Sequence, residues 1–383
     1  MKRSSDRMLT THAGSLFRPP DLLEMINARV LGDNSDNEKF QARLSLAVDD
    51  VVARQAECGV DIVDDGELSK PDFVDYIAER LNGLERSNPN SIFPDRRVDY
   101  PDYYALQVSR QVVGPARRPL CVGPLSWKDK DAIAVDIENL KSAMAKAGVG
   151  EAFLPSPSPG IIAMRIPNQY YASDEEYLTA LAEVLGEEYR AIVDAGLLLQ
   201  IDAPELPMAW VMQFGAERFE DYRKSCMMRN EALNLALTGI PEESVRYHIC
   251  WGNSEEPHTL DIDLTKILDL VLKVHAQAYS IEGANPRHAH EWEIWRDVKL
   301  PEGKILIPGV IDSTTNFVEH PELVAQRIVQ YANLVGRENV IAGVDCGFGT
   351  SARLEPRVHP TVVWGKFKAL ADGAAIATRS LWN

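Results

Sequence analysis

Four residues in the carboxyl-terminal half of the chain are of types that can ligate zinc. In Arg-Tyr-His-Ile-Cys-Trp-Gly-Asn, His248 and Cys250 are two residues apart, so on a β-strand both project from the same face and can grip one ion. Glu282 follows the run Tyr-Ser-Ile, and Cys346 follows Ala-Gly-Val-Asp. Two thiolates, an imidazole and a carboxylate form a mixed donor set that suits Zn2+ rather than Mg2+ or Ca2+. A carboxylate binds more weakly than a third thiolate would, so an incoming sulfur is expected to reach the metal either by displacing a ligand such as Glu282 or by expanding the coordination. Zinc in turn keeps a coordinated thiol deprotonated at neutral pH, and the thiolate is the nucleophile. The chemistry expected is therefore activation of a small thiol for alkylation. A lone cysteine is more often a buried small hydrophobe. The set carries weight because all four residues sit at the ends of strand-like runs. A structural zinc is the competing reading, but such sites draw on closely spaced knuckles, whereas these ligands span about a hundred residues.

The elements that must position these residues read as short apolar runs alternating with segments of helical period. Eight strands are expected: Met8 to Ser15, Val60 to Glu67, Leu120 to Ser126, Leu197 to Ala203, Val245 to Cys250, Ala278 to Gly283, Lys304 to Asp312 and Val340 to Cys346. Helices are expected over Asn37 to Cys58, Asp174 to Ala195, Ala216 to Leu237, Leu264 to Ala276 and Pro321 to Leu334, with glycine stops at Gly59, Gly196 and Gly336. This alternation predicts an α/β fold, a single (β/α)8 TIM barrel filling residues 1–383 as one domain. The proline- and tyrosine-rich stretches Leu81 to Arg118 and Leu154 to Tyr171 read as loop insertions over one mouth. Active sites in such barrels lie at the carboxyl ends of the strands. There the sequence delivers His12 and Ser15, Asp65 and Glu67, Asp202 and Glu205, His248 and Cys250, Glu282, Asp312, and Asp345 and Cys346.

With 45% apolar and 25% charged residues, the chain can bury a large core. Its net charge of -17 opposes nucleic acid and anionic membranes. The expected partners are a small-molecule thiol and an alkyl donor, with a homo-oligomer possible. No secretory signal and no long apolar span is evident, and five cysteines suit a reducing cytoplasmic setting.

Taken together, Thr-Thr-His-Ala-Gly-Ser-Leu-Phe-Arg-Pro (Thr10 to Pro19), Asp-Gly-Glu (Asp65 to Glu67), Gln-Ile-Asp-Ala-Pro-Glu-Leu (Gln200 to Leu206) and the four proposed ligands resemble the catalytic barrel of cobalamin-independent methionine synthase and its single-barrel relatives. The resemblance implies that His248, Cys250, Glu282 and Cys346 hold zinc. It also implies that Ser15, Glu67 and Asp202 hold the carboxylate and amino group of homocysteine. Two departures stand out: nothing supplies the family's second, amino-terminal barrel, and Thr314 occupies the place of its catalytic histidine, within Asp-Ser-Thr-Thr-Asn. The acid then falls to His12, His288 or His290, or the donor is a methylated compound other than folate. The segment Ala284 to Trp292 is similar to the branch that includes epoxyalkane:coenzyme M transferase, where Arg18, Arg287 or Arg296 would meet a sulfonate. A non-catalytic zinc-binding barrel is the alternative of another class. Gly347 to Ala352 only loosely imitates a dinucleotide fingerprint, and porphyrin decarboxylation would leave the four ligands unexplained.

Overall fold

A computed structural model describes residues 1–383 except 31, 34, 88–98, 111–117, 353–355 and 383. In chain order the strands are β1 (Leu9–Thr10), β2 (Leu81–Ser87), β3 (Arg118–Trp127), β4 (Phe153–Pro157), β5 (Leu198–Asp202), β6 (Val245–Ile249), β7 (Ala278–Ile281), β8 (Ile305–Ile311) and β9 (Ile341–Val344). The helices are α1 (Pro20–Val30), α2 (Asn37–Glu57), α3 (Phe73–Arg80), α4 (Pro101–Arg110), α5 (Asp131–Ala147), α6 (Pro159–Arg165), α7 (Asp174–Asp194), α8 (Glu205–Ala209), α9 (Phe219–Ala236), α10 (Leu268–Val271), α11 (Pro321–Val335) and α12 (Pro360–Leu381).

Seven strands form one sheet in the order β1-β9-β8-β7-β6-β5-β4, all parallel. Parallel bridges from Thr11 to Ile62 and from Val63 to Ala152 join its two edges, so Ile62 and Val63 occupy the eighth position. The fold is the expected (β/α)8 type. An apolar cluster of Leu9, Ile62, Phe153, Leu198, Ala278, Ile305, Ile307 and Ile341 draws on every strand position except β6 and packs the lumen. From β6 comes buried Arg246, whose guanidinium stacks 3.9 Å from the Phe153 ring and donates to Thr11 Oγ1 and the His12 carbonyl.

One expected strand was misplaced. Leu120 to Ser126 lies in β3, which pairs antiparallel with β2 as a hairpin apart from the barrel sheet. The barrel position belongs to Phe-Leu-Pro-Ser-Pro in β4, inside the stretch read as an insertion. Prolines lack the N–H a central strand donates and argue against a strand. Here their carbonyls accept instead, Pro155 from Lys70 Nζ at 2.6 Å and Pro157 from Tyr189 Oη at 2.6 Å. The expected helix over Leu264 to Ala276 shrinks to a 3-10 turn at Leu264–Lys266 and the single turn α10. The helices over Asn37–Glu57, Asp174–Asp194 and Pro321–Val335 stand as read, and Gly59, Gly196 and Gly336 take φ of 87°, 83° and 90°. In the stretch Leu81 to Arg118, β2 and α4 are regular, and part of the remainder lies outside the described residues. No described helix is long and apolar enough to cross a membrane.

Candidate metal centre

Asp202, His248 and Ser280 lie level on β5, β6 and β7. His248 Nδ1 is 3.0 Å from Ser280 Oγ; with Nδ1 protonated it donates there and leaves Nε2 as a lone pair. That Nε2 is buried and has no hydrogen-bond partner. An orphaned buried acceptor costs about 1–3 kcal/mol unless something takes it. Cys250 follows β6 by one residue and Cys346 follows β9 by two. Donor atoms of His248, Cys250 and Cys346 all lie within 4.8 Å of one another, and all three residues are buried.

The thiols perturb each other. A hydrogen bond from the Cys346 thiol pulls Cys250 well below the ordinary thiol range, and the imidazole of His248 adds to the effect. The same shared proton pushes Cys346 well above that range, with burial reinforcing it. Burial pulls the His248 imidazole down, but the Cys250 sulfur and the Asp202 charge more than offset it, leaving a net rise. Two thiols and an imidazole crowded out of water with one leftover lone pair fit a soft divalent cation.

Glu282 stands next to this group but is held back from it. Its Oε1 accepts from Trp251 N at 2.9 Å and its Oε2 from Asn285 Nδ2 at 2.9 Å. Burial first, then the Cys250 and Asp345 charges, push its carboxyl well above the ordinary range. Asn285 is itself pinned: Asp345 accepts from the backbone N–H of Gly283, Ala284 and Asn285 at 2.8 Å each, and from Asn285 Nδ2 at 3.1 Å. A Cβ at Gly309 would sit 2.0 Å from Asp345 Oδ1, so glycine is required there. The sequence reading missed Ser280, Trp251 and Asn285. Ser280 was findable, since it precedes Glu282 by two residues on the same strand face; the Trp251 contact is through backbone and carries no sequence signal.

The three expected substrate residues converge on the same mouth. Ser15 O accepts from Phe348 N and Gly349 N at 2.8 and 3.1 Å, which ties it to the loop after Cys346. A Cβ at Gly347 would come 2.1 Å from Ser15 Oγ, so the glycines read as a loose dinucleotide fingerprint are there for close backbone approach. Glu67 has φ of 54°, and its carboxylate lies against Gly14. Burial and then the Glu67 charge push Asp202 up to about 7. Two neighbouring carboxylates, Glu67 buried and Asp202 half-buried, favour a bound cation such as an ammonium group. Glu205 turns elsewhere and accepts from Ser158 Oγ at 2.6 Å.

The residues proposed as acids are dispersed. His12 is buried against Phe153 and Phe367, 2.7 Å from Gln55 Oε1, and burial pushes its imidazole down to about 3. Thr314 and His288 line a cavity of about 400 Å³ that reaches Glu282 and Asp345. Thr314 Oγ1 donates to Asp312 Oδ1 at 2.9 Å. His288 stacks 4.0 Å from Trp251, with Nδ1 3.0 Å from Glu291 and Nε2 3.1 Å from Asp261. His290 is exposed. Of the arginines, Arg287 lines the cavity, Arg296 is exposed over Trp292, and Arg18 donates to the carbonyls of Gly349, Glu67 and Lys70.

The family model of the cobalamin-independent synthase catalytic domain matches residues 8–96. The methionine synthase of Sulfurisphaera tokodaii is 26% identical over 385 residues, covering 98% of this chain and 94% of that protein. The methionine synthase of Thermococcus kodakarensis is 24% identical, covering 97% and 94%. A solved B12-independent methionine synthase from Shewanella sp. W3-18-1, in complex with selenomethionine, shares the fold with a TM-score of 0.72 at 21% identity, covering 98% of this chain and 99% of that one. These comparisons bear out, along nearly the whole chain, the resemblance to the cobalamin-independent methionine synthase family.

Proposed function

We propose that the chain is a zinc-dependent methyltransferase that alkylates the sulfur of a small, homocysteine-like amino-acid thiol. Residues 1–383 would act as one catalytic barrel in the cytoplasm, on small molecules rather than nucleic acid or membrane. The observation that carries this reading is the buried His248, Cys250 and Cys346 group with its unpartnered Nε2, beside the mutually repelling Glu67 and Asp202. The methionine synthase relatives support it.

When bound, zinc lowers the pKa of a coordinating thiol so that it ionises at neutral pH. The protein's own residues do the rest. His248, Cys250 and Cys346 would hold the ion, and Ser280 fixes the imidazole. Glu282 would be a fourth, weaker ligand, and Trp251 N–H and Asn285, which hold its carboxylate in this structure, would keep it whenever it is not on the ion. Glu67 and Asp202 hold the substrate ammonium, and the Ser15 hydroxyl takes its carboxylate. Asn285→Ala, which frees Glu282 Oε2 from the contact that holds the carboxylate back, is expected to tighten zinc binding about tenfold, the scale on which outer hydrogen-bond partners act. Competition with a chromogenic chelator reads this, and unchanged affinity removes Asn285 from that role. Glu282→Gln is expected to retain some zinc while altering thiol exchange.

Thiol recognition has a sharper test. Glu67→Gln is expected to weaken homocysteine binding about tenfold or more, since it removes one charge-assisted partner of the ammonium. The same change should leave 4-mercaptobutanoate, which lacks the ammonium, nearly unaffected. Calorimetry on zinc-loaded protein measures both, and equal losses would contradict the assignment. The coenzyme M reading retains one supporting observation, Arg287 on the cavity wall. Both terminal nitrogens of Arg18 donate to backbone carbonyls, and Glu67 and Asp202 suit an ammonium better than a sulfonate.

A further inference from the structure

The cavity beside the metal centre is lined by Asn253–His258, Asn285–His288 and Ser313–Thr315, with Glu282 and Asp345 at its inner end. Its occupant therefore stands next to the thiol, which makes it the place for the alkyl donor if the proposed function holds. The side-chain protons of Ser313, Thr314, Thr315, Asn253 and Asn285 are donated within the protein. Thr314 and Thr315 hydroxyls donate to Asp312, and the Ser313 hydroxyl donates to Asn253 Oδ1. The Asn253 amide donates to Gly347 O and Thr350 Oγ1, and the Asn285 amide to Glu282 and Asp345. His258 sits between Asp261 at 2.8 Å and Ser254 O at 2.9 Å, and His288 between Asp261 and Glu291. What the walls present is oxygen: the Thr314 and Thr315 hydroxyls, whose protons are spent on Asp312, and the acidic residue Glu255, which is exposed. Among the described lining residues, Arg287 is the exception: its exposed guanidinium makes no hydrogen bond to another described residue.

This polarity bears on the leaving group. In every alkyl transfer to sulfur the S–C bond forms as the bond from carbon to the leaving atom breaks, and the electron pair departs with that atom. A tertiary amine nitrogen such as N5 of a methylated folate leaves as an anion and needs a proton. So does an epoxide oxygen. A sulfonium or quaternary ammonium donor leaves as a neutral thioether or tertiary amine. The thiolate charge and the onium charge cancel, and the thiol's own proton has already gone to solvent. No acid is required, and acceptor-lined walls favour the cation.

We propose that the cavity binds an onium carboxylate as alkyl donor, its cationic centre among the hydroxyl and carboxylate oxygens and its carboxylate on Arg287. The inference rests on the thiol-alkylation reading of the metal centre. The probes are dimethylsulfonioacetate and trimethylammonioacetate, with methyltetrahydrofolate and propylene oxide as comparisons, all on zinc-loaded protein with homocysteine. The expected result is methionine formation at least about 100-fold faster from an onium donor than from methyltetrahydrofolate, the gap that a leaving group's need for an acid typically makes. Trimethylammonioacetate should bind saturably in calorimetry without homocysteine. Arg287→Met should weaken that binding about tenfold, the value of one charge-assisted hydrogen bond. If homocysteine adds a sulfur to the zinc but only methyltetrahydrofolate or the epoxide reacts, the donor inference is overturned and the thiol reading stands. If neither onium compound binds, the inference is overturned whatever the thiol does. If no sulfur is added, both fall together.

Discussion

Replacing Cys346 by serine is expected to abolish zinc binding and thiol alkylation together while leaving the barrel folded. The sulfur contributes one of three donors within 4.8 Å of each other, and its loss leaves His248 and Cys250 with only the weaker carboxylate of Glu282. Affinity should fall by more than about 100-fold, because even partners outside the coordination shell are worth about 10–100-fold. Serine is smaller and keeps a hydroxyl, so the buried volume is nearly conserved. Circular dichroism and thermal unfolding should therefore match the parent protein measured without metal, and metal analysis should show zinc absent. A Cys346→Ser protein that unfolds would point to a structural ion, and one that keeps full zinc would remove Cys346 from the centre.

The second large effect concerns pH. Burial pulls the His288 imidazole down, but hydrogen bonds to Asp261 and Glu291 outweigh it and raise the group to about 10. His258, on the other side of Asp261, is raised as well: burial opposes the rise, and the Asp261 hydrogen bond overcomes it. For a base raised in the folded state, the stabilisation is complete below the unfolded pKa of about 6.5 and disappears as pH climbs through the folded value. His288 is nearly inaccessible to solvent, so its contribution at neutral pH is on the order of 3 kcal/mol. Denaturant midpoints should fall between pH 7 and about 10. A His288→Gln protein should start lower at neutral pH, and its deficit should shrink toward zero as pH approaches about 10. A deficit that stays constant across that range would mean His288 is neutral in the folded protein and acts only by packing on Trp251.

Much of this was legible in the sequence because barrel strands repeat one lesson. A polar side chain at the carboxyl end of an apolar run points into a shared mouth, and that placed Ser15, Glu67, Asp202, His248, Cys250, Glu282 and Cys346 there. Failures came where local pattern and tertiary role part. Arg118–Trp127 alternates as a barrel strand would, yet it pairs with Leu81–Ser87. Phe153–Pro157 carries two prolines and reads as a loop, yet it pairs parallel with Leu198–Asp202. The left-handed Gly148 after α5, with φ of 67°, was the available sign that a strand should follow. Roles that depend on contacts across strands, such as Asn285 and Asp345 holding Glu282, have no local period to betray them. His12 at a strand end and His288 in the loop after β7 carry the right chemistry, but sequence cannot show that Gln55, Asp261 and Glu291 occupy their nitrogens.

The most direct test of thiol activation is X-ray absorption at the zinc edge on the purified, zinc-loaded protein, recorded alone and with homocysteine. The resting spectrum should fit two sulfur neighbours, from Cys250 and Cys346, with the remaining positions filled by nitrogen and oxygen. Homocysteine should add one sulfur and remove one light-atom neighbour. An unchanged sulfur count in the presence of saturating thiol would contradict thiol activation at this centre and favour a structural ion.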